Sequence, residues 1–199
     1  MTKSAFVLAD PTKCIGCQSC EIACAVAHLG TSVTTAGEMK IPFQPRLRVV
    51  RTSRVTMPIQ CRHCEDAPCA NACPVGAIVR QDGVVLVKQE RCIGCKTCVL
   101  ACPFGAMDMV PALENGARVE QPGLKMDTPD GKVPKERYVA HKCDLCIGRP
   151  GGPACVEVCL ARALTLVRRT AIDQRVRSRR VATASGIARS MSPRAAARS

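Results

Sequence analysis

The sequence predicts an α+β fold in which short strands and short helices surround four cysteine-rich loops. The first observation behind this prediction is composition, because the 199 residues include sixteen Cys but only three Phe, one Tyr and no Trp. Large apolar side chains therefore cannot fill much of the interior. The second observation is that the cysteines recur in four blocks of four, and the third is that short β-prone runs bracket those blocks. A chain of this length is expected to form one compact unit or two small ones.

The predicted strands lie beside the blocks or in the segments between them. The segments 77–80 and 84–87 are predicted to form a β-hairpin, because Asp82-Gly83 supplies the residues that a tight turn needs. A short helical turn is expected at the end of each block, where three residues separate the last two cysteines. The predicted strands are residues 6–9, 47–51, 77–80, 84–87, 106–110, 138–140 and 163–167.

Internal duplication accounts for the cysteine pattern. Residues 13–24 (KCIGCQSCEIAC), which form block one, return almost unchanged as residues 91–102 (RCIGCKTCVLAC), which form block three. Blocks two and four are looser copies with longer central gaps. Their cysteines are Cys61, Cys64, Cys69 and Cys73 in block two and Cys143, Cys146, Cys155 and Cys159 in block four.

Three closely spaced cysteines and a more distant fourth are the pattern that binds a 4Fe-4S cluster. The run Cys-x2-Cys-x2-Cys places three thiolates around one cluster, and in two-cluster proteins the last cysteine ligates the other cluster. Pro74 and Pro103 directly follow the last cysteines of blocks two and three, which matches the Cys-Pro ending of such runs. Four blocks therefore predict four 4Fe-4S clusters.

Zinc binding and disulfide formation are the alternatives for so many cysteines. Structural zinc sites usually carry two Cys-x2-Cys pairs that lie a dozen or more residues apart, which fits the compact runs poorly. Disulfides require an oxidising compartment, but residues 1–13 contain neither an apolar signal core nor a twin-arginine element. We therefore expect a cytoplasmic protein. Since no apolar stretch approaches the roughly 20 residues that span a bilayer, any membrane association would come through partner subunits.

The positive charge is concentrated at the carboxyl end. The formal net charge is +13, but sixteen thiolates around four 4Fe-4S cores would reduce it to about +5. Residues 168–199 offer little to bury, so we expect a basic, disordered tail that is at most partly helical. Docking to an acidic partner and binding of nucleic acid or anionic lipid are the alternative roles for this tail. It contains one acidic residue, Asp173, and nine arginines: Arg168, Arg169, Arg175, Arg177, Arg179, Arg180, Arg189, Arg194 and Arg198.

Two segments carry a resemblance to a known family. They are residues 64–74 (CEDAPCANACP) and residues 90–106 (ERCIGCKTCVLACPFGA). With these segments the chain resembles the four-cluster, ferredoxin-like electron-transfer subunits found with molybdenum oxidoreductases, formate hydrogenlyase and anaerobic carbon monoxide dehydrogenase. The resemblance covers residues 5–167.

The resemblance implies how the blocks pair. In that family block one pairs with block four and block two with block three, and each pair forms a bacterial-ferredoxin-like lobe. Leu160 and Ala25 stand after the last cysteines of blocks four and one, so the first lobe lacks the prolines that the second keeps. The implied ligand sets are Cys14, Cys17, Cys20 and Cys159 for cluster 1; Cys61, Cys64, Cys69 and Cys102 for cluster 2; Cys92, Cys95, Cys98 and Cys73 for cluster 3; and Cys143, Cys146, Cys155 and Cys24 for cluster 4.

The same resemblance implies the domain organisation. A four-cluster domain would cover residues 1–167 and be followed by the basic tail at 168–199. The parts of the domain are lobe A (1–24 with 138–167), an insertion (25–57), lobe B (58–110) and an exposed loop (111–137).

The function that the resemblance implies is non-catalytic electron transfer through four clusters. The electrons would pass between an oxidising enzyme, either carbon monoxide dehydrogenase or formate dehydrogenase, and a hydrogenase or other acceptor. A freely diffusing ferredoxin is an alternative within this class. An iron–sulfur protein that binds nucleic acid through the arginine-rich tail is the alternative from a different class. The chain contains no recognisable flavin, nicotinamide or radical-initiating motif, so we do not expect an enzyme.

Three histidines lie near the blocks and could suggest further ligands, since histidine replaces cysteine on iron in some proteins. They are His28, His63 and His141. Sixteen cysteines suffice for four clusters, so we expect these side chains to lie beside the ligands or at the surface. Glu65 and Asp66 are adjacent in a ligand loop and are expected to cap it or face solvent rather than act as an acid/base pair.

Overall fold

The structure, a computed structural model, describes residues 4–29, 38 and 42–190. The chain divides into two units between Leu166 and Val167. The predictions for the first three residues, the last nine and most of 30–41 lie outside the described residues. Within the described part, no helix is long and apolar enough to cross a membrane.

The strands of the described chain pair two by two into small sheets. Strand β1 pairs with β12, β6 with β11, and the other four pairs are hairpins of neighbouring strands. The strands are β1 (Ala5–Ala9), β2 (Arg48–Arg51), β3 (Thr56–Ile59), β4 (Ile78–Gln81), β5 (Val84–Val87), β6 (Asp108–Pro111), β7 (Leu113–Glu114), β8 (Ala117–Arg118), β9 (Glu120–Thr128), β10 (Gly131–Glu136), β11 (Tyr138–His141) and β12 (Leu164–Arg168).

Four short helices lie at the ends of the four blocks, and each begins one residue before the third cysteine of its block. They are α1 (Ser19–Val26), α2 (Pro68–Asn71), α3 (Thr97–Ala101) and α4 (Ala154–Glu157). Helix α1 packs against α4, and α2 packs against α3. These contacts bring block one to block four and block two to block three.

The strands and helical turns predicted beside the blocks are confirmed, with ends that differ by one or two residues. The predicted hairpin is also confirmed, because Gln81 pairs with Val84 and leaves Asp82 and Gly83 as a two-residue turn. Both turn residues have positive φ, 50° and 83°. This is the conformation that Asp-Gly adopts most readily between antiparallel strands.

Two buried clusters of apolar side chains contain most of the buried cysteines. The first includes Val7, Leu145 and Leu164 together with cysteines of blocks one, two and four. The second includes Ile78, Val85 and Met107 together with cysteines of blocks two and three. Cysteine thus takes the place in the interior that larger apolar residues hold in other small domains.

The prediction of an exposed loop over 111–137 is wrong, because the segment contains strands β7 to β10. Strands β9 and β10 pair antiparallel, with a register shift between Pro134 and Lys135. The described side chains of these strands are mostly exposed. The sequence carries only a short alternation of apolar and polar residues here, Leu124-Lys125-Met126-Asp127, and the neighbouring Pro122, Gly123 and Pro134 are residues that disfavour a strand.

The prediction of a disordered tail is also wrong for its described part, which forms helix α5 (Arg169–Ser190). No residue of this helix is buried, and the prediction rested on that lack of apolar surface. Ala and Arg, however, have high intrinsic helix propensities. Arg169 and Asp173 add an ion pair over one turn, with 3.4 Å between Nε and Oδ1.

Three strands of the described chain cross predicted domain boundaries: β3 at 57/58, β6 at 110/111 and β12 at 167/168. In addition, β11 of the predicted lobe A pairs with β6, most of which belongs to lobe B. The predicted boundaries follow the positions of the cysteine blocks, whereas strand pairing depends on backbone hydrogen bonds that the cysteine spacing does not encode.

Candidate metal centres

Three small cavities are each lined by four cysteines. In every case three come from one block and the fourth is the last cysteine of the partner block. The four-cysteine groups are Cys14, Cys17, Cys20 and Cys159; Cys61, Cys64, Cys69 and Cys102; and Cys92, Cys95, Cys98 and Cys73. These are the groups that the resemblance implied for clusters 1, 2 and 3.

The remaining four cysteines, those implied for cluster 4, also lie near one another. Cys24 is close enough to Cys146 and Cys155 to act electrostatically on both thiols. Cys143 is in turn influenced by Cys155 and Cys24. The packing of α1 on α4 places Cys24 at this position, since Cys24 and Cys155 lie on those two helices.

Backbone N–H groups point at the sulfur atoms of many of these cysteines. Three bonds are equivalent, because the last cysteine of blocks two, three and four accepts from the residue four positions later. Block one differs, and Cys24 accepts from the N–H of Arg46 instead, at 3.3 Å. The equivalent donors are Ala77 to Cys73, Ala106 to Cys102 and Ala163 to Cys159, at 3.3, 3.4 and 3.3 Å.

The residue before the second cysteine of each block has a positive φ. Glycine holds this position in blocks one and three, as Gly16 and Gly94, whereas His63 and Leu145 hold it in blocks two and four, at φ 48° and 60°. The N–H groups of His63 and Leu145 donate to Cys61 and Cys143, at 3.3 and 3.4 Å. The turn thus directs a backbone donor at the sulfur even where it requires a conformation that is unfavourable for a non-glycine residue.

Burial dominates the electrostatics of the inner cysteines. It raises the pKa of Cys155 to about 12 and that of Cys20 to about 11, and it raises the pKa of Cys143 further. Cys17 and Cys95 are the exposed cysteines, and hydrogen bonds from Ser19 and Thr97 lower their pKa values. Because a buried thiolate needs a compensating positive charge, the inner groups suit metal ligation better than they suit free thiolates.

An arginine holds the backbone of each ligand loop, a feature that the cysteine pattern did not reveal. Arg80 donates from Nη2 to the carbonyls of His63, Cys64 and Glu65, and Arg137 donates from Nη2 to those of Gln89, Glu90 and Cys92. Arg51 likewise donates to Gly16 in block one, and Arg149 donates to Gly152 in block four. The arginines that stand out in the sequence are those of the tail. The arginines that contact the ligand loops are instead these four, which lie singly along the chain.

Two residues that precede a first cysteine connect the two halves of the cysteine array. Gln60, next to Cys61, donates from Nε2 to the carbonyl of Val7 in β1 at 2.8 Å. Lys142, next to Cys143, donates from Nζ to the carbonyl of Val85 in β5. Each therefore reaches from its own block to a strand beside the other pair of blocks.

The histidines take positions beside the cysteines. His63 and His141 are buried, and His28 bonds through Nε2 to Oδ1 of Asp144 at 3.0 Å. His28, Asp144 and Cys146 place possible ligand atoms within 4.8 Å of one another. Both carboxylate oxygens of Asp144 already accept hydrogen bonds, Oδ2 from Arg46 at 2.5 Å and Oδ1 from His28 and the N–H of Cys146. This trio therefore serves the loop of block four better than it would serve a separate ion.

The donor set fits iron–sulfur clusters, because each cavity offers four sulfur atoms together with backbone donors to sulfur. None of the sixteen cysteines, all of which the structure describes, forms a disulfide. Residues 52–117 match the family model described as a 4Fe-4S dicluster domain, and residues 11–27 match a 4Fe-4S binding domain. The electron transport protein HydN of Escherichia coli (strain K12) is 45% identical over 181 residues, which cover 90% of this chain and 97% of HydN.

The chain belongs to the 4Fe-4S ferredoxin-type electron-transfer family. Formate hydrogenlyase subunit 2 of the same organism is a further relative, 41% identical over 177 residues that cover 84% of this chain and 83% of that subunit. This ferredoxin-type protein contains iron–sulfur clusters, and its role is electron transfer within redox enzyme systems. The predicted family and the predicted non-catalytic role are both confirmed.

Proposed function

We propose that the protein holds four 4Fe-4S clusters in two lobes and conducts electrons between an enzyme that oxidises formate and a hydrogenase. The observation that carries this proposal is the lining of three cavities by four cysteines each, drawn from paired blocks. Lobe A would hold clusters 1 and 4, and lobe B would hold clusters 2 and 3. Each cluster would take the ligand set that the resemblance implied.

The electrostatic influence of one cysteine on another supports an order for the clusters. Beyond the effect of burial, the negative charge of Cys20 raises the pKa of Cys155, so clusters 1 and 4 are neighbours. In the same way Cys61 raises the pKa of Cys143, which makes clusters 2 and 4 neighbours, and Cys69 raises the pKa of Cys98, which makes clusters 2 and 3 neighbours. The proposed order is therefore 1, 4, 2, 3.

The two ends of that order are the most accessible. Cys17 belongs to cluster 1 and Cys95 to cluster 3, and these two are the exposed cysteines, whereas the other fourteen are half-buried or buried. Next to them, Ile15 and Ile93 expose 70% and 64% of their surface. Exposed apolar side chains beside a terminal cluster suit contact with a partner protein, so we infer that electrons enter at one end and leave at the other.

Formate oxidation is favoured over carbon monoxide oxidation by the name of one relative, formate hydrogenlyase subunit 2. Carbon monoxide dehydrogenase is the second candidate partner. Sixteen free thiols require a reducing compartment, so we place the protein in the cytoplasm, with membrane association only through its partners.

Anaerobic purification from the native host tests this function. We expect about sixteen iron atoms per chain, which is four for each cluster, and co-purification with a molybdenum or tungsten enzyme. A nickel–iron carbon monoxide dehydrogenase in its place would identify the other partner. Far fewer than about sixteen iron atoms after reconstitution would overturn the four-cluster proposal.

A further inference from the structure

Lys142 is a buried lysine at the junction of the two lobes. Only 4% of its surface is exposed. Its Nζ donates to the carbonyl of Cys143 at 2.8 Å and to the carbonyl of Val85. Cys143 belongs to the cysteine group of cluster 4, and Val85 lines the cavity of the cluster 2 group. The ammonium group is therefore fixed between backbone atoms that flank the two groups.

The ammonium group also lies close to the cysteines of cluster 2. Val85, whose carbonyl Nζ contacts, packs in the same buried cluster of side chains as Cys69. Asp144 is the nearest carboxylate along the chain, but its oxygens already accept hydrogen bonds from Arg46 and His28. The two acceptors that Nζ contacts are neutral carbonyls, so they orient the ammonium group without cancelling its charge.

The other blocks show that a cation at this position is not needed to form a ligand loop. The residue before the first cysteine is Lys13 in block one, Gln60 in block two and Arg91 in block three. Lys13 is exposed and pairs with Asp10, and Gln60 is buried and neutral. Lys142 alone among these four positions combines a positive charge with burial.

A buried cation acts strongly on nearby clusters. A cluster with four thiolates gains one negative charge when it accepts an electron, and its potential depends on local charge and solvent exposure. Charges in the interior interact over several ångströms with little screening, whereas exposed charges are screened by water and salt. An ammonium group fixed between two clusters therefore stabilises the reduced form of each.

We propose that Lys142 raises the reduction potentials of the two clusters that face each other across the lobe junction, and so favours the arrival of an electron at this pair from clusters 1 and 3. This inference rests on the proposed four-cluster function. The lysine would stabilise an electron on either side of the junction. Because both potentials would rise together, the difference between them, which drives the step from one lobe to the other, would change little.

The substitution Lys142→Gln removes the charge while keeping a side chain that can bond across the junction. Gln60 shows that glutamine fits, because at the same position of block two it reaches the carbonyl of Val7. We expect Lys142→Gln to lower the midpoint potentials of two of the four clusters in an anaerobic redox titration followed by electron paramagnetic resonance. Lys13→Gln is the matched control, because the Lys13 side chain is 59% exposed, and it should leave all midpoints unchanged.

The reverse substitution Gln60→Lys adds a buried cation at the same junction and should raise the midpoints of the same two clusters. If the Lys142→Gln protein binds all four clusters and keeps the wild-type midpoint potentials, the inference is overturned. If the Lys142→Gln protein does not bind its clusters, the test depends on the Gln60→Lys protein. Midpoint potentials that stay unchanged in that variant would also overturn the inference. A shortage of iron in the wild-type protein is a separate result, which contradicts the four-cluster proposal instead.

Discussion

The backbone N–H of Val85 donates a hydrogen bond to Nδ1 of His63 over 3.1 Å. A strand of the β4–β5 hairpin thus holds the ring of a residue in the ligand loop of block two. Because Nδ1 accepts this bond, the proton of the neutral ring lies on Nε2. Burial, together with the charge of Lys142, lowers the pKa of His63 to about 3, so the ring is neutral at physiological pH.

The hydrogen bond between Val85 and His63 predicts the effect of the substitution His63→Gly. Glycine would relieve the positive φ of 48° and remove the Nε2–H, a buried donor without a partner among the described residues, but it would leave the Val85 N–H without its acceptor and create a cavity. The two unsatisfied donors offset each other, so the cavity decides: loss of a large buried side chain costs about 2–5 kcal/mol, more than the roughly 1–2 kcal/mol of strain that glycine relieves. We therefore expect a lower midpoint temperature for the loss of the visible cluster absorption. Lys96→Gly is the control, because Lys96 has a similar φ of 66° but is exposed. A midpoint for His63→Gly at or above that of the wild type would show that backbone strain dominates.

In the proposed ligand sets the last cysteine of each block binds a cluster of the partner block. This arrangement predicts which cysteine substitutions remove the same cluster. Cys20 and Cys24 lie one turn apart on α1, but they are proposed to serve clusters 1 and 4. Each substitution to serine should remove about four iron atoms. The paramagnetic signal lost with Cys24→Ser should be the one lost with Cys146→Ser. If Cys24→Ser instead matches Cys20→Ser, block one does not share its last cysteine with block four.

The arginine contacts predict that Arg80→Met weakens block two. Arg80 donates to three consecutive carbonyls of the loop, from His63 to Glu65. Hydrogen bonds from a charged donor contribute about 1.5–3 kcal/mol, so the loop should release its iron faster when this guanidinium is lost. The rate of iron release to a chelator under anaerobic conditions measures the effect. Arg177→Met, on the exposed surface of α5, should release iron at the wild-type rate.

Close backbone packing predicts a large cost for Gly94→Ala. A Cβ at this position would lie 2.8 Å from the carbonyl oxygen of Tyr138, in addition to the strain of a φ of 72°. Gly105 has a φ of 58°, but a Cβ added there would meet nothing within 4 Å, so Gly105→Ala isolates the strain. We expect Gly94→Ala to lose cluster absorption at a lower temperature than Gly105→Ala does. Equal midpoints would mean that the Tyr138 carbonyl moves aside at little cost.

Removal of helix α5 tests the independence of the two units. A chain that ends at Arg168 keeps strand β12 complete and loses a helix with no buried residue. Its iron content and its midpoint temperature of cluster loss should equal those of the full chain. A clear fall in either quantity would mean that the helix contributes to the cluster-binding unit.

The cysteine blocks made a large part of this fold predictable. Duplication of the block that begins at Lys13 indicated equivalent loops, and the three-residue spacing before Cys24 or Cys102 indicated the short helices. Asp82 and Gly83 indicated a hairpin because the turn they form has few alternatives in sequence. The repeated block, the cysteine spacing and the Asp82-Gly83 pair each span only a few residues. Each also restricts the backbone to few conformations, which is why the local structure could be predicted.

The contacts that cross between blocks were not predictable in the same way. Nothing in the spacing around Arg80 or Arg137 distinguishes a guanidinium that binds loop carbonyls from one that faces solvent. Lys142 and Gln60 precede cysteines just as Lys13 does, and only tertiary packing makes them differ. Strand β9 is hard to predict because its apolar–polar alternation is confined to residues 124–127 and directly follows Pro122 and Gly123, which disfavour a strand.

The pairing of β1 with β12 also bears on how the chain can be made. Lobe B has its helices α2 and α3 and its β4–β5 hairpin in place once Cys102 has been synthesised. Strand β1, which is synthesised before the other strands described, must wait for residues 164–168 before its partner strand exists. Because pairings between distant segments form slowly, the cysteines of block one wait for those of block four while blocks two and three can already combine. The thiols of block one are therefore expected to stay open to oxidation and to stray metal ions for longer than those of lobe B.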